Sequence, residues 1–156
     1  MTSTPDLDRP ATTAGTRKVD QLLSHYGKNH QHPHNELIHF VAIPLIMLSL
    51  MGMMFSLHPY VAYAFMAASM GYYARLSVVF LLAMALWSSV TIALLVLMGK
   101  NLLPLSVAIF AGAWVLQFIG HEMEAKKPSF LEDIQYLWVG PLFVLSKLFA
   151  RLGIRW

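Results

Sequence analysis

Between Glu36 and Glu122 the chain carries only two formal charges, Arg75 and Lys100, across about 85 residues. A water-soluble domain built from 156 residues has too little interior to hide that much apolar sequence, so most of it must face lipid. Composition agrees: 57% of the residues are hydrophobic and 12% are charged, outside the range of ordinary soluble domains.

A helix needs ~20 residues to cross a bilayer core. By that measure the segments 37–57, 60–74, 76–98 and 102–120 are crossings, the second of them short. The charge-free run from Leu37 to Ala74 is too long for one crossing, and it breaks at His58-Pro59, because proline drives the residue before it out of helical geometry. Gly99-Lys100-Asn101 supplies the turn between the third and fourth segments. Pro44 and Pro104 are expected to kink or open their helices. The block from Ile134 to Ser146 is apolar but short, contains Gly140-Pro141 and leads into Lys147, Arg151 and Arg155, so an interfacial or re-entrant helix is expected there. The expected fold is therefore all-α: a polytopic membrane helical bundle with about four transmembrane helices and a C-terminal interfacial or re-entrant helix. Residues 1–21, rich in Thr, Pro and charge, read as a flexible tail, and residues 22–156 as a single membrane domain.

With four crossings, Arg9, Arg17, Lys18, Lys28, Arg75, Lys126 and Lys127 fall on one side and Lys100 alone on the other. The positive-inside rule then places the amino terminus in the cytosol. An integral protein of a bacterial inner membrane, or of the ER membrane in a eukaryote, is the expected localisation. The net charge of +3 is explained by this topology; the basic residues form no stripe with interleaved aromatics, and no nucleic-acid partner is expected.

Five of the seven histidines, His25, His30, His32, His34 and His39, lie within fifteen residues. Asn35 is well placed to cap the first membrane helix, its side-chain oxygen accepting a free backbone N–H, with His39 one turn inside. A second cluster, Gln117-Phe-Ile-Gly-His121-Glu-Met-Glu124, ends the fourth segment, and His121 and Glu124 at i and i+3 share a helix face. Four crossings bring both clusters to one membrane face. The chain has no cysteine, so a metal must be held by imidazole, carboxylate or amide oxygen. Neutral imidazoles with a carboxylate and open positions suit an oxygen-activating non-haem Fe(II) site, and Zn or Mn accept similar ligands. A single interfacial histidine is ordinarily just a polar residue at the headgroup boundary, which is the reading for His25, His32 and His58. Polar groups inside or beside membrane helices are costly and tend to be functional, which singles out His30, His39 and His121 as metal ligands, with His34 or Glu124 as a fourth. The ten methionines read as flexible packing against lipid or acyl chains. No phosphate loop, nucleophile elbow or zinc-protease motif is present.

The pattern Tyr26-x3-His30-x4-Asn35-x3-His39, followed by Pro44, Gln117-Phe-Ile-Gly-His121-x2-Glu124-x3-Pro128 and Gly140-Pro141, resembles the Mpo1-like family. These are small membrane proteins that include the ER 2-hydroxy fatty acid dioxygenase of phytosphingosine breakdown. The resemblance covers about residues 22–152. It implies an Fe(II)-dependent α-oxidation in which O2 converts a 2-hydroxy fatty acid, or a related lipid, to the acid one carbon shorter. It also implies that His30, His39 and His121 are the family histidines, with Asn35, Gln117 and Glu124 beside them in catalytic positions. Membrane lipids are the expected surroundings. A non-enzymatic transporter or assembly protein with a histidine-lined metal or proton path, and a bis-histidine haem bundle, are the competing readings.

Overall fold

The computed structural model describes residues 17–28, 32–123 and 137–156. Its regular elements are all helical: α1 (Lys18–Lys28), α2 (Pro33–Leu57), α3 (Pro59–Ala74), α4 (Val78–Met98), a 3-10 turn (Gly99–Asn101), α5 (Leu102–Met123) and α6 (Val139–Leu152). Two helical stretches are long and apolar enough to cross a membrane: Pro33–Leu57, and Val78–Met123, which comprises α4, the turn and α5. With 16 residues, α3 falls short of that length.

The breaks lie where local chemistry puts them. His58 is extended (φ −166°, ψ 133°); its N–H donates to the Met54 carbonyl, and its ring nitrogen accepts from the Tyr60 N–H, so one residue ends α2 and caps α3. Pro59 then occupies the first turn of α3, where a missing N–H costs nothing. Gly99 takes φ +53°, a conformation that suits a residue without Cβ, and turns the chain from α4 toward α5.

The start of α2 differs from expectation. The cap is His32, whose ring accepts from the His34 N–H, and Pro33 opens the helix, so Asn35 lies inside the first turn and is wholly buried. Proline at the first helical position is pre-organised for the helix and outweighs the capping preference of asparagine two residues on. Pro44 deprives the Phe40 carbonyl of its helical partner, yet α2 runs unbroken from Pro33 to Leu57. The segment read as a tail contains the first turn of α1, because Val19 and Tyr26 are buried seven residues apart with Leu22 and Leu23 packing between them.

The most extensive contact is between α2 and α5, which run antiparallel: Asn35 meets Gly120 at one end and Gly52 meets Ser106 toward the other. Small or polar buried residues recur every seven positions on both helices, at Asn35, Ala42 and Ser49 on α2 and at Ser106, Ala113 and Gly120 on α5. A seven-residue repeat keeps one narrow stripe facing its partner, and small residues in it let the two backbones approach closely. On its other side α2 packs on α3, α4 and α6. Leu95 of α4 joins Met51 and Met66 in one core cluster, while Tyr73, Phe80, Met84, Leu142 and Phe149 join Val19 in another. Three helix serines satisfy their own hydroxyls on preceding carbonyls, Ser49 on Ile46, Ser56 on Gly52 and Ser69 on Phe65, so apolar surroundings leave these three satisfied.

Helix α6 begins deep in this bundle and runs outward. Just before it, Trp138 stacks on Phe65 (5.6 Å, 19°) and donates to Ser69 Oγ at 2.9 Å, while the Tyr73 hydroxyl donates to the Trp138 carbonyl. Phe65 lies nine residues before the end of α3, about 13 Å along the helix axis. Gly140 and Pro141 are buried, and a Cβ at Gly140 would stand 3.2 Å from Ile43 of α2. From there α6 climbs along α2, with Lys147 paired to Glu36 at 2.9 Å and Arg151 over the Phe40 ring. It ends beside Trp156, whose carbonyl accepts from Arg17. Helix α1 packs antiparallel on its outer face through Tyr26 and Phe143 (4.9 Å).

Candidate metal centre

Two of the expected ligands meet. His39 on α2 and His121 on α5 stand edge to face, with ring centroids 5.6 Å apart and planes at 81°. They are 82 residues apart in sequence (121 − 39), and only the antiparallel α2–α5 crossing brings them together. Gly120 favours the approach: a Cβ there would collide with the Asn35 side-chain oxygen, so a larger residue before His121 would force that side chain or α5 to shift.

His39 is almost wholly buried, and its Nδ1 lies 2.9 Å from the Asn35 carbonyl. A carbonyl oxygen can only accept, so Nδ1 carries the proton and donates. In the neutral ring this leaves the lone pair on Nε2, the tautomer in which an imidazole binds a metal with its other nitrogen held by a backbone carbonyl. The Nε2 atoms of His39 and His121 are both buried. Gln117, one turn before His121, is 6% exposed, and its Oε1 accepts no hydrogen bond among the described residues. Burying a bare amide oxygen is costly unless something donates to it, so this oxygen is available to a bound molecule.

The other candidates divide. His34 is exposed and stands beside His32 (5.2 Å between ring centroids). It precedes His39 by five residues, which at 3.6 residues per turn turns it to a different face of α2. His25 is exposed on α1, and His58 is exposed at the opposite end of α2 from His39. His30 and Glu124 lie outside the described residues. Among the described residues no three His, Asp or Glu side chains form a metal-binding group. The donor set present, two imidazoles with buried Nε2 atoms and one tautomer fixed, fits a metal that takes nitrogen ligands and keeps further positions for oxygen donors.

Two features of the site have no local signature in the sequence. The ion pair of Glu36 with Lys147 spans 111 residues and ties α6 to the first turn of α2, one turn from His39. Gly120 sits within the second motif, but its function as a contact appears only when Asn35 is placed opposite it.

The family model described as "2-hydroxy-palmitic acid dioxygenase Mpo1-like" matches residues 16–152, nearly the full chain. The chain belongs to the Mpo1-like family. No curated protein and no solved structure matches it. Membership in the Mpo1-like family links the chain to 2-hydroxy fatty acid oxidation and to a membrane setting, in line with its two apolar stretches of membrane length.

Proposed function

We propose that this Mpo1-like protein is an Fe(II)-dependent membrane dioxygenase that shortens 2-hydroxy fatty acids by one carbon, using O2. The observation that carries the reading is the meeting of His39 and His121, 5.6 Å apart on two different apolar helices, in a chain of this family. His30, His39 and His121 are the proposed ligands, with Glu124 as the fourth. Bound Fe(II) would supply O2 activation and electron transfer. His39 presents Nε2 because the Asn35 carbonyl holds its Nδ1 proton. Gln117 Oε1 is suited to accept a hydrogen bond from the substrate's 2-hydroxyl. The apolar walls of α2 and α5 exclude bulk water from the reacting carbons. The balance closes without a further reductant: R–CH(OH)–COOH and O2 together contain the atoms of R–COOH, CO2 and H2O, with the C1–C2 bond broken and O2 reduced by four electrons.

The proposed topology has α2, α3, α4 and α5 as crossings and α6 as a re-entrant helix. Supporting it, Lys18, Arg75, Lys147 and Arg151 belong to the end of the bundle that holds His39, whereas Lys100 lies in the turn at the other end. By the positive-inside rule that asymmetry supports a cytosolic histidine end.

The test is reconstitution of detergent-purified protein with Fe(II) under anaerobic conditions, then O2 with a 2-hydroxy fatty acid or its unsubstituted analogue, with mass spectrometry of the shortened acid. The 2-hydroxy acid should be consumed without added 2-oxoglutarate, and the plain acid should be inert. Equal turnover of both, or of neither across a range of chain lengths with iron bound, would sink the proposal.

A further inference from the structure

Helices α1 and α6 pack antiparallel, and a groove of about 370 Å³ runs between them. That volume falls within the ~300–1,000 Å³ of small-molecule sites. Each helix contributes one stripe at i, i+3, i+4 and i+7, from Asp20 to Gly27 on α1 and from Phe143 to Ala150 on α6. A stripe of that span makes the groove about 10 Å long. At one end a Cβ on Gly27 would stand 3.6 Å from the Phe143 ring. At the other, Arg17 donates to the Trp156 carbonyl and holds Asp20 through hydrogen bonds of 2.9 and 3.1 Å. The lining is of two kinds: Leu23, Phe143 and Trp156 supply apolar surface, and Ser24, Ser146 and Lys147 supply polar groups. Lys147 Nζ lies 5.3 Å from the centre of the Phe143 ring and 2.9 Å from Glu36 Oε2. An ammonium has three donors, and Glu36 takes one.

Charge decides the sign of the ligand. The two carboxylates beside the groove are already paired, Asp20 with Arg17 and Glu36 with Lys147. Residues 17–28 and 137–156 contain no acidic residue besides Asp20, so Lys18, Arg151 and Arg155 leave this part of the molecule with an excess of positive charge. We propose that the α1–α6 groove binds the phosphate head of an anionic phospholipid from the surrounding membrane. Lys147 and Ser24 donate to the phosphate oxygens, and the first methylenes of an acyl chain lie against Leu23, Phe143 and Trp156. A neutral lipid gains nothing from the excess of cations, and a free phosphate gains nothing from the apolar surface. The proposal rests on the topology above for the depth of the groove, which puts it at the cytosolic headgroup level, where basic pockets between helices hold such lipids. It does not rest on the dioxygenase reading.

The experiment uses full-length protein, delipidated in a neutral detergent, so the groove is accessible whichever way the chain sits in a membrane. It is titrated with phosphatidylglycerol, with phosphatidylcholine of the same acyl chains, or with glycerol 1-phosphate, and followed by thermal unfolding and native mass spectrometry. Saturating phosphatidylglycerol should raise the unfolding midpoint by about 5 °C or more, with one lipid retained per chain, and the other two compounds should leave the midpoint unmoved. Lys147→Gln removes the ammonium, and Ser24→Trp fills the groove without changing charge. Each should lose most of the shift, measured from its own lipid-free midpoint. Arg75→Gln removes an exposed cation that does not line the groove, and it should keep the shift. An undiminished shift in both groove variants would place the lipid elsewhere and overturn the site. Phosphatidylcholine matching phosphatidylglycerol would overturn the charge argument, and glycerol 1-phosphate matching it would replace the lipid with a soluble phosphate ester.

Discussion

Gly120 of α5 and Asn35 of α2 meet with no space for a methyl group between them. Their contact is next door to the site twice over, since Gly120 precedes His121 and the Asn35 carbonyl holds His39. A Cβ at position 120 collides with the Asn35 side-chain oxygen and comes within 3.4 Å of its Cγ, so the wholly buried Asn35 side chain or α5 itself has to shift. Gly120→Ala should therefore destabilise the protein by about 1–3 kcal/mol and weaken metal retention by moving both imidazoles. Gly112→Ala is the control, because a Cβ there meets nothing within 4 Å. Thermal unfolding in detergent and metal analysis of both variants check this; equal behaviour of the two would mean the close approach is dispensable.

Ligand identity yields a second prediction. His39→Ala and His121→Ala should each abolish stoichiometric metal binding while the protein still inserts, and His34→Ala should retain it, because His34 is exposed and turned from His39. His30→Ala should behave like His39→Ala if His30 is the third ligand. Metal analysis of purified variants decides between them. Full retention in the His39,His121 double variant would show that the metal is held elsewhere.

How far the sequence reveals this arrangement depends on whether the cause is local. The blocks of apolar residues, the break at His58-Pro59 and the turn at Gly99–Asn101 are legible, because capping, proline geometry and positive φ act within a few residues. Asn35 misleads, since the same side chain that favours a cap is here buried under α5, and Pro33 with His32 starts the helix earlier. The first turn of α1 is hidden because Val19 stands among charged residues and is buried only by α6 and its neighbours. Pairing of His39 with His121 is legible in outline from an even number of apolar segments. The inward start of α6 is not, because it rests on Trp138 finding Phe65 and Ser69, residues about seventy positions away.

The attachment of α6 allows a third prediction, in which two neighbouring residues differ in cost. Lys147 and Glu36 form an ion pair at 2.9 Å, but their side chains are 42% and 24% exposed, so Lys147→Met should cost at most about 1 kcal/mol. Phe143, one turn earlier, is 3% exposed and packs against Tyr26 and Gly27. Phe143→Ala should cost about 3–5 kcal/mol. Thermal or denaturant unfolding in one detergent ranks the two. A larger loss for Lys147→Met would mean that charge, not packing, docks α6.

Topology provides the last prediction, and the cysteine-free chain makes it simple to check. The described ends of α2 and α5 lie together at Asn35 and Gly120, so His34 and Glu122, both exposed, belong to one end of the bundle. Lys100, exposed in the turn between α4 and α5, belongs to the other. If these ends face opposite sides of a membrane, single cysteines in His34→Cys and Glu122→Cys should react with an impermeant maleimide from the same side, and Lys100→Cys from the opposite one. Charge predicts which side is which: Arg75, Lys147 and Arg151 accompany the histidine end, and moving such a cluster across a bilayer is what the positive-inside rule forbids. Positions 34 and 122 should therefore be protected in intact cells and reactive in inverted vesicles, with position 100 showing the reverse. Labelling of 34 and 122 from opposite sides would separate His39 from His121 across the membrane and end the shared-site model. Labelling of all three from one side would mean that α4 and α5 lie along the membrane and do not cross it.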